Sequence, residues 1–107
     1  VGLLTINCRN TAVARLAPAL AWTEVEKLLF AGTRVADITG VDALQRLAEL
    51  DLADSAVDDL AAIAANDYFR RGDRVDVTGA PVDLGDCPAI LDLRSREAVV
   101  LTDVTCD

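Results

Sequence analysis

The sequence predicts an α/β solenoid, a stack of short coils that each add one strand to a parallel sheet. The first observation is the spacing L-x-x-L-x-L-x-x-S-x-V-x-x-L, which begins at Leu47 and ends at Leu60. The second is that this spacing recurs from Val25 and from Leu3, which gives a period of 22 residues. The third is that 52% of the residues are hydrophobic and only 4% are aromatic. Aliphatic ladders fill stacked repeats, whereas globular cores usually depend on larger side chains.

The first coil begins with a predicted strand from Leu3 to Cys8. Asn10 and Thr11 form its turn, and Val13 to Trp22 form the outer, convex side. Pro18 prevents a long regular helix there, because its ring removes a donor and blocks the preceding turn.

The second coil has a predicted strand over Lys27–Ala31 and a turn at Gly32-Thr33. Beyond this turn, apolar residues occur at every third position, at Ile38, Val41, Leu44 and Leu47. That period predicts a 3₁₀ turn rather than a sustained α-helix. Thr39 with Asp42 three residues later is expected to cap it.

The third coil has a predicted strand over Glu49–Ala53 and a helical segment over Val57–Asn66. The alanine content of that segment favours a helix, and Asp58 and Asp59 lie near its amino end, where the helix dipole favours carboxylates. Residues 66–73 are predicted to form an enlarged convex loop.

The C-terminal part is predicted to contain a fourth strand over Val75–Val77, a turn over residues 78–82 and a terminal helix over Pro88–Glu97. Ala98–Leu101 is expected to be a fifth, closing strand. The whole chain is then one domain, with repeats at about 3–24, 25–46, 47–71 and 72–86 and a C-terminal cap at 87–107.

The repeated spacing over residues 1–101 resembles that of leucine-rich repeat proteins, and most closely the 22-residue bacterial class that includes the internalins. Gly72–Asp83, GDRVDVTGAPVD, is similar to the last repeat of such arrays. The family usually has Asn at the turn position, where this chain has Thr11, Thr33, Ser55 and Ala80. Thr and Ser can replace Asn, whereas Ala80 has no side-chain hydrogen bond to offer. The resemblance implies a recognition scaffold that binds ligands on its concave sheet.

Composition excludes several classes of partner. The net charge of −8 argues against nucleic acid and against anionic membrane surfaces. No apolar run reaches the 18 or so residues of a membrane helix, so we expect no membrane insertion. No motif implies a cofactor. Because the chain begins inside its first repeat, with no cap before the strand, we expect it to be the C-terminal portion of a longer array. The alternative is a complete short protein.

The three cysteines fall into two groups. Cys8 occupies a ladder position equivalent to Phe30 and Leu52, so we expect it to be buried. Cys87 and Cys106 lie outside the ladder, and we hypothesise that they form a disulfide over the end of the core, worth about 3 kcal/mol. A bridge would place the protein outside the cell or at its surface; two free thiols would indicate a cytoplasmic protein.

Strand alternation predicts which side chains the concave face presents to a partner. These residues are Asn7, Arg9, Lys27, Leu29, Glu49, Asp51, Arg74, Asp76 and Thr78. Asp51 and Asp76 occupy equivalent positions of adjacent strands, which suggests either a ligand contact or weak cation site, or a solvated face on which Arg74 and Lys27 neutralise them; we favour the second. Leu29, apolar at an outward position, indicates a protein-binding patch.

The predicted function is a non-catalytic protein–protein interaction module that binds a protein or peptide on the concave face. One alternative is a structural spacer of a larger surface protein, with no ligand of its own. Another is carboxylate chemistry at Asp51 and Asp76. The chain has no histidine and no evident pair of nucleophile and base, so we do not expect an enzyme. Arg71-Gly72-Asp73 spells the integrin-binding tripeptide, but Gly and Asp already serve there as turn residues.

Overall fold

A parallel sheet of short strands connects the coils of the chain. The computed structural model describes residues 5–16 and 24–106. In this part of the chain, five strands of three residues pair in the order in which they occur. They are β1 (Thr5–Asn7), β2 (Lys27–Leu29), β3 (Glu49–Asp51), β4 (Arg74–Asp76) and β5 (Val99–Leu101). The predicted α/β solenoid is therefore confirmed.

The described ranges limit what can be compared in the first coil. The start of its predicted strand, at Leu3, lies outside them, as do Pro18 and Trp22 on the predicted convex segment. The second, third and fifth strands are present but shorter than predicted, and β4 has the predicted length but begins at Arg74, one residue earlier.

The middle residue of each strand forms one continuous row inside the stack. The pairing register joins the central residues in sequence along the sheet: Ile6, Leu28, Leu50, Val75 and Val100. Leu28, Leu50 and Val75 have no exposed surface. Because side chains alternate along a strand, the residues before and after each central one point out of the sheet on its concave side.

The core lies between the sheet and the convex segments and is almost wholly aliphatic. Two residues after the central residue of β2, β3 and β4 lies a second row of buried residues, Phe30, Leu52 and Val77. Cys8 occupies the same position in the first coil but is only partly buried, so the prediction that it is buried is wrong. Within the described residues the strand of the first coil, β1, pairs only with β2, so Cys8 has a neighbouring coil on one side.

The turn after each strand is built in one of two ways. The hydroxyls of Thr11 and Thr33 donate to the carbonyls of Cys8 and Phe30, both at 2.7 Å. At the equivalent place in the fourth coil the backbone N–H of Ala80 donates to the Val77 carbonyl at 3.0 Å. In the third coil the backbone N–H of Ser55 likewise donates to the Leu52 carbonyl, at 3.2 Å, so the backbone closes the third and fourth turns alike.

The residue before the turn position of each of the first four coils has a left-handed backbone. Its φ is 59° at Asn10, 71° at Gly32, 55° at Asp54 and 80° at Gly79. A Cβ on Gly32 would lie 2.4 Å from the Asn10 side chain, and one on Gly79 would lie 2.1 Å from Asp54 Oδ1. Asx residues therefore alternate with glycines along the stack, since two successive side chains would collide.

The convex side of the second coil contains the predicted 3₁₀ turn, over Val41–Ala43. The predicted cap by Thr39 and Asp42 is wrong, because Gly40, at φ 104°, occupies the capping position without a side-chain bond. Thr39 instead donates to Asp37 Oδ1 from its backbone N–H at 2.8 Å and from its hydroxyl at 2.5 Å. These bonds lower the pKa of Asp37.

The convex side of the third coil has a shorter helix than predicted. α1 covers only Ala61–Ala64, so the predicted helix over Val57–Asn66 is wrong at both ends. Val57 and Leu60 are both completely buried. The ladder turns both side chains toward the sheet, and the helix is confined to the alanine-rich residues that follow them.

The C-terminal end is closed by a 3₁₀ turn over Leu84–Asp86 and by α2, Cys87–Ser95. α2 starts one residue before the predicted helix and ends before Glu97, whose φ of 66° stops it. The predicted Cys87–Cys106 disulfide is present, with 5.5 Å between the Cα atoms, and it joins the start of α2 to the segment after β5.

Candidate functional site

The concave face carries three parallel rows of outward side chains. The first row contains Thr5, Lys27, Glu49, Arg74 and Val99, one from the start of each strand. The second row contains Asn7, Leu29, Asp51, Asp76 and Leu101, one from the end of each strand. Two residues farther on, a third row contains Arg9, Ala31, Ala53 and Thr78. All predicted contact residues therefore lie on one face; their role in binding stays a prediction.

Asx side chains in the second row fix the ends of three strands. Asn7 Oδ1 accepts from the Arg9 N–H at 3.1 Å, Asp51 Oδ1 from Ala53 at 3.2 Å and Asp76 Oδ1 from Thr78 at 3.0 Å. Each bond occupies a backbone donor where the chain leaves the strand. One oxygen of each carboxylate is therefore architectural, and only the other faces a ligand.

Most of the charges on this face are paired within the chain. Arg9 donates to Asp51 Oδ2 from Nε at 3.2 Å and from Nη2 at 2.9 Å. Lys27 lies 3.8 Å from Glu49, and Arg74 lies 3.8 Å from Asp76. Of the two cations expected to neutralise the aspartates, Arg74 lies near Asp76 as expected. Lys27 lies near Glu49 instead, and Arg9 is the cation that pairs with Asp51. Sequence reasoning missed this contact because 42 residues separate Arg9 from Asp51.

The apolar surface of the face is not where the sequence indicated. Leu29 is only 8% exposed, so the expectation of an open apolar patch there is wrong. The exposed apolar surface lies instead at the β5 end, where Val99 is 45% exposed and Leu101 is half-buried beside it. The signal that could have found it is the repeat itself, since both residues occupy outward positions of the predicted fifth strand.

Depressions occur on the convex side of the described residues. One, of about 360 Å³, lies between the second and third coils and is bordered by Asp37, Thr39, Asp58 and Asp59. Within residues 5–16 and 24–106, no three His, Cys, Asp or Glu side chains come together in a way that could hold a metal ion. Over the same residues, no helix has the length and apolar character needed to cross a membrane.

The Arg71-Gly72-Asp73 tripeptide forms part of a tight loop. Arg71 forms an ion pair with Glu97, and Gly72 has a φ of 84°. Asp73 Oδ2 accepts from the Arg70 N–H at 2.9 Å. Burial raises the pKa of Asp73, opposed by that hydrogen bond and by the charge of Arg70. These contacts support the interpretation of Gly72 and Asp73 as turn residues.

One buried and one partly buried polar side chain that sequence reasoning missed stabilise the cap end of the solenoid. Asn66, with no exposed surface, donates to the carbonyls of Val41 at 2.9 Å and Leu44 at 3.0 Å. Arg96 donates to the carbonyls of Asn66 at 2.8 Å and Phe69 at 3.2 Å, and also to that of Ala64. They hold the cap in place and do not reach the concave face.

Comparison with known proteins identifies the fold. No protein-family profile and no curated protein sequence matches the chain. Among solved structures, the crystal structure of an internalin from Listeria monocytogenes is similar, with a TM-score of 0.80 and 16% sequence identity. The alignment covers 95% of this chain and 29% of that internalin, so the chain spans less than a third of its length. With the parallel sheet, this similarity shows that the chain is an α/β leucine-rich repeat solenoid.

Proposed function

We propose that the chain is a non-catalytic interaction module that binds a protein or peptide on the concave face of its sheet. The observation that carries this proposal is the second row, in which two aspartates and two leucines are held in register on four neighbouring strands. Regular strands preorganise these side chains, so that a partner does not have to order the surface on binding. The internalin-like fold supports the same class of function by analogy.

The proposal excludes catalysis on chemical grounds. The chain contains no histidine, and its only free thiol in the described part is Cys8, which lies in the ladder. Asp51 is held by Arg9 and by a backbone N–H, and neither group could relay a proton from it to a substrate at neutral pH. The net charge of −8 favours a protein partner over nucleic acid.

We also propose that the protein works outside the cytoplasm, at a cell surface or free. The support is the Cys87–Cys106 bridge, since disulfides persist mainly in oxidising compartments. Labelling of free thiols on protein isolated from its native source tests this. One reactive thiol per chain without reductant agrees with the proposal, and three contradict it.

The second candidate is a spacer that binds nothing itself. It is favoured by the internal pairing of the charges, because Asp51 already has its hydrogen-bond partners within the chain. A spacer needs a stiff array, whereas a module also needs an accessible face.

Photo-crosslinking separates the two candidates. A benzoylphenylalanine side chain is introduced in place of Thr78, exposed on the concave face, and in a matched variant in place of Thr39, exposed on the convex side. The interaction module predicts a discrete adduct with one protein, identified by mass spectrometry, from position 78 and not from position 39. Equal labelling from both positions, or none from position 78, would favour the spacer.

A further inference from the structure

The second row has a composition that specifies more than a generic binding face. From β2 to β5 its residues are Leu29, Asp51, Asp76 and Leu101, so that two carboxylates lie side by side between two leucines. Adjacent strands are about 4.8 Å apart, and the four side chains therefore span about 14 Å. Like charges on directly opposite residues disfavour each other unless a cation lies between them.

A guanidinium of the chain itself already occupies one side of this arrangement. Arg9 follows β1, Asp51 belongs to β3, and their ion pair therefore spans β2, whose second-row residue is Leu29. The side chain of Arg9 is 43% exposed and that of Asp51 is 14% exposed. Leu29 lies on the strand that this ion pair crosses and is only 8% exposed although it points outward. Long basic side chains cover apolar surface with their methylene groups.

Asp76 differs from Asp51 in having an acceptor still open to the concave side. Its Oδ1 accepts from Thr78, but its Oδ2 lies 3.8 Å from Arg74 Nη2, which is too long for a hydrogen bond. Its side chain is 20% exposed. Val99, at 45% exposure, and Leu101 lie on the next strand, so that an open carboxylate adjoins the exposed apolar end of the face.

We infer that the partner presents an arginine between two apolar side chains, and that Arg9 holds the place of this arginine in the free chain. The incoming guanidinium bonds to the open oxygen of Asp76 and displaces Arg9 from Asp51. Displacement uncovers Leu29, so that each leucine of the row meets an apolar side chain of the partner. Arginine suits this position because its planar fork can serve two carboxylates at once. This inference rests on the proposed function and adds to it the chemistry of the partner.

A blocked tripeptide, acetyl-Leu-Arg-Leu-amide, is the probe. Its binding is followed by ¹H–¹⁵N NMR at low salt through the backbone amides of Ala53 and Thr78, which are bonded to Asp51 and Asp76. The control peptide contains citrulline, which keeps the shape of arginine and removes its charge. The structure predicts that the arginine peptide changes the chemical shifts of these two amides. The citrulline peptide should bind at least about 3-fold more weakly than the arginine peptide.

Variants of the chain test the part assigned to Arg9. Arg9→Gln removes the competing cation, and the arginine peptide is expected to bind about 2- to 5-fold more tightly, as for the loss of one partly exposed ion pair. The matched control is Arg46→Gln, which breaks the ion pair of Arg46 Nε with Glu24 Oε2, at 2.7 Å and well exposed away from the concave face, and should leave binding unchanged. Asp76→Asn should weaken binding by about 3-fold or more.

Each outcome decides the inference. Equal binding of the arginine and citrulline peptides overturns it, and so does an Arg9→Gln variant that binds no more tightly than the parent chain. If the inference fails while position 78 still forms its discrete adduct, the interaction module stands with a partner of different chemistry. If that adduct is absent as well, the proposed function fails with it.

Discussion

The regular region, residues 27–60, and the cap region, residues 61–106, share one strand ladder but differ in the other bonds that hold them together. In the regular region, backbone bonds repeat from coil to coil: Arg34 N–H donates to the Val13 carbonyl at 3.0 Å, and Ala56 N–H donates to that of Val35, also at 3.0 Å. In the cap region the strand ladder continues, as in the bond from the Val77 N–H to the Leu101 carbonyl at 2.8 Å, and the side chain of Arg96 and a disulfide add contacts that the regular region lacks.

The difference shows how a solenoid ends. A coil inside the stack obtains its hydrogen bonds and its apolar contacts from neighbours of the same shape, so that its stability is spread over many small terms. A last coil has no such neighbour on one side. Here α2, Arg96 and the bridge cover that side, and the stability of the cap is concentrated in a few side chains.

The largest effect is expected in the ladder of the regular region. Leu50→Ala removes a completely buried side chain from the central row and should lower the free energy of unfolding by about 2–5 kcal/mol. Glu49→Ala, next to it but facing outward, should change it by no more than about 0.5 kcal/mol. Denaturation by urea measures both, and similar losses would show that Leu50 is not a ladder residue.

The next effect belongs to the cap region. Replacing Cys87 and Cys106 by serine removes the closed loop and should lower the free energy of unfolding by about 3 kcal/mol in the chain-entropy picture. Hydrogen exchange should show faster opening of α2 and β5 while the amides of β2 and β3 stay protected. Uniform loss of protection over all strands would mean that the cap and the regular region unfold as one unit.

A smaller effect distinguishes two glycines that both have positive φ. Gly79→Ala should cost about 2–3 kcal/mol, because left-handed strain of about 1–2 kcal/mol is added to crowding against Asp54. Gly72 has nothing within 4 Å of an added Cβ, so that Gly72→Ala should cost only the strain. Thermal or urea unfolding checks the difference, which should disappear when Asp54 is also replaced by alanine.

The smallest effect is a gain. Ala80→Thr places a hydroxyl where Thr33 bonds the Phe30 carbonyl at 2.7 Å in the second coil. It should stabilise the fourth turn by about 0.5–1 kcal/mol, and Thr33→Ala should cost a similar amount. If urea denaturation shows that Ala80→Thr destabilises the chain, the fourth turn is not equivalent to the second.

The strands were predictable because each depends on a local pattern that recurs with the period of the coil. Leu28 and Leu50 are recognisable as rungs without knowledge of any contact. The helix over Val57–Asn66 failed because propensity is local, whereas the burial of Val57 and Leu60 is imposed by neighbouring coils.

The site was predictable only in part, for a related reason. Alternation along a strand placed Asp51 and Asp76 side by side, and the register confirms that placement. The ion pair of Arg9 with Asp51 depends on the reach of one long side chain over a neighbouring strand, which no period encodes. Leu29, on the strand that this ion pair crosses, is buried as well, and the local pattern does not show that either.

The most direct test of the account is a pair of charge reversals on opposite faces. Asp51→Lys/Asp76→Lys alters the concave face, and Asp42→Lys/Asp58→Lys makes the same change of charge on exposed convex positions. The Kd for the protein captured at position 78 is measured by biolayer interferometry, after circular dichroism has shown that both variants are folded. The account predicts that the concave pair weakens binding at least about 10-fold and that the convex pair leaves it within about 2-fold. Equal losses from both pairs, or undiminished binding by the concave pair, would contradict it.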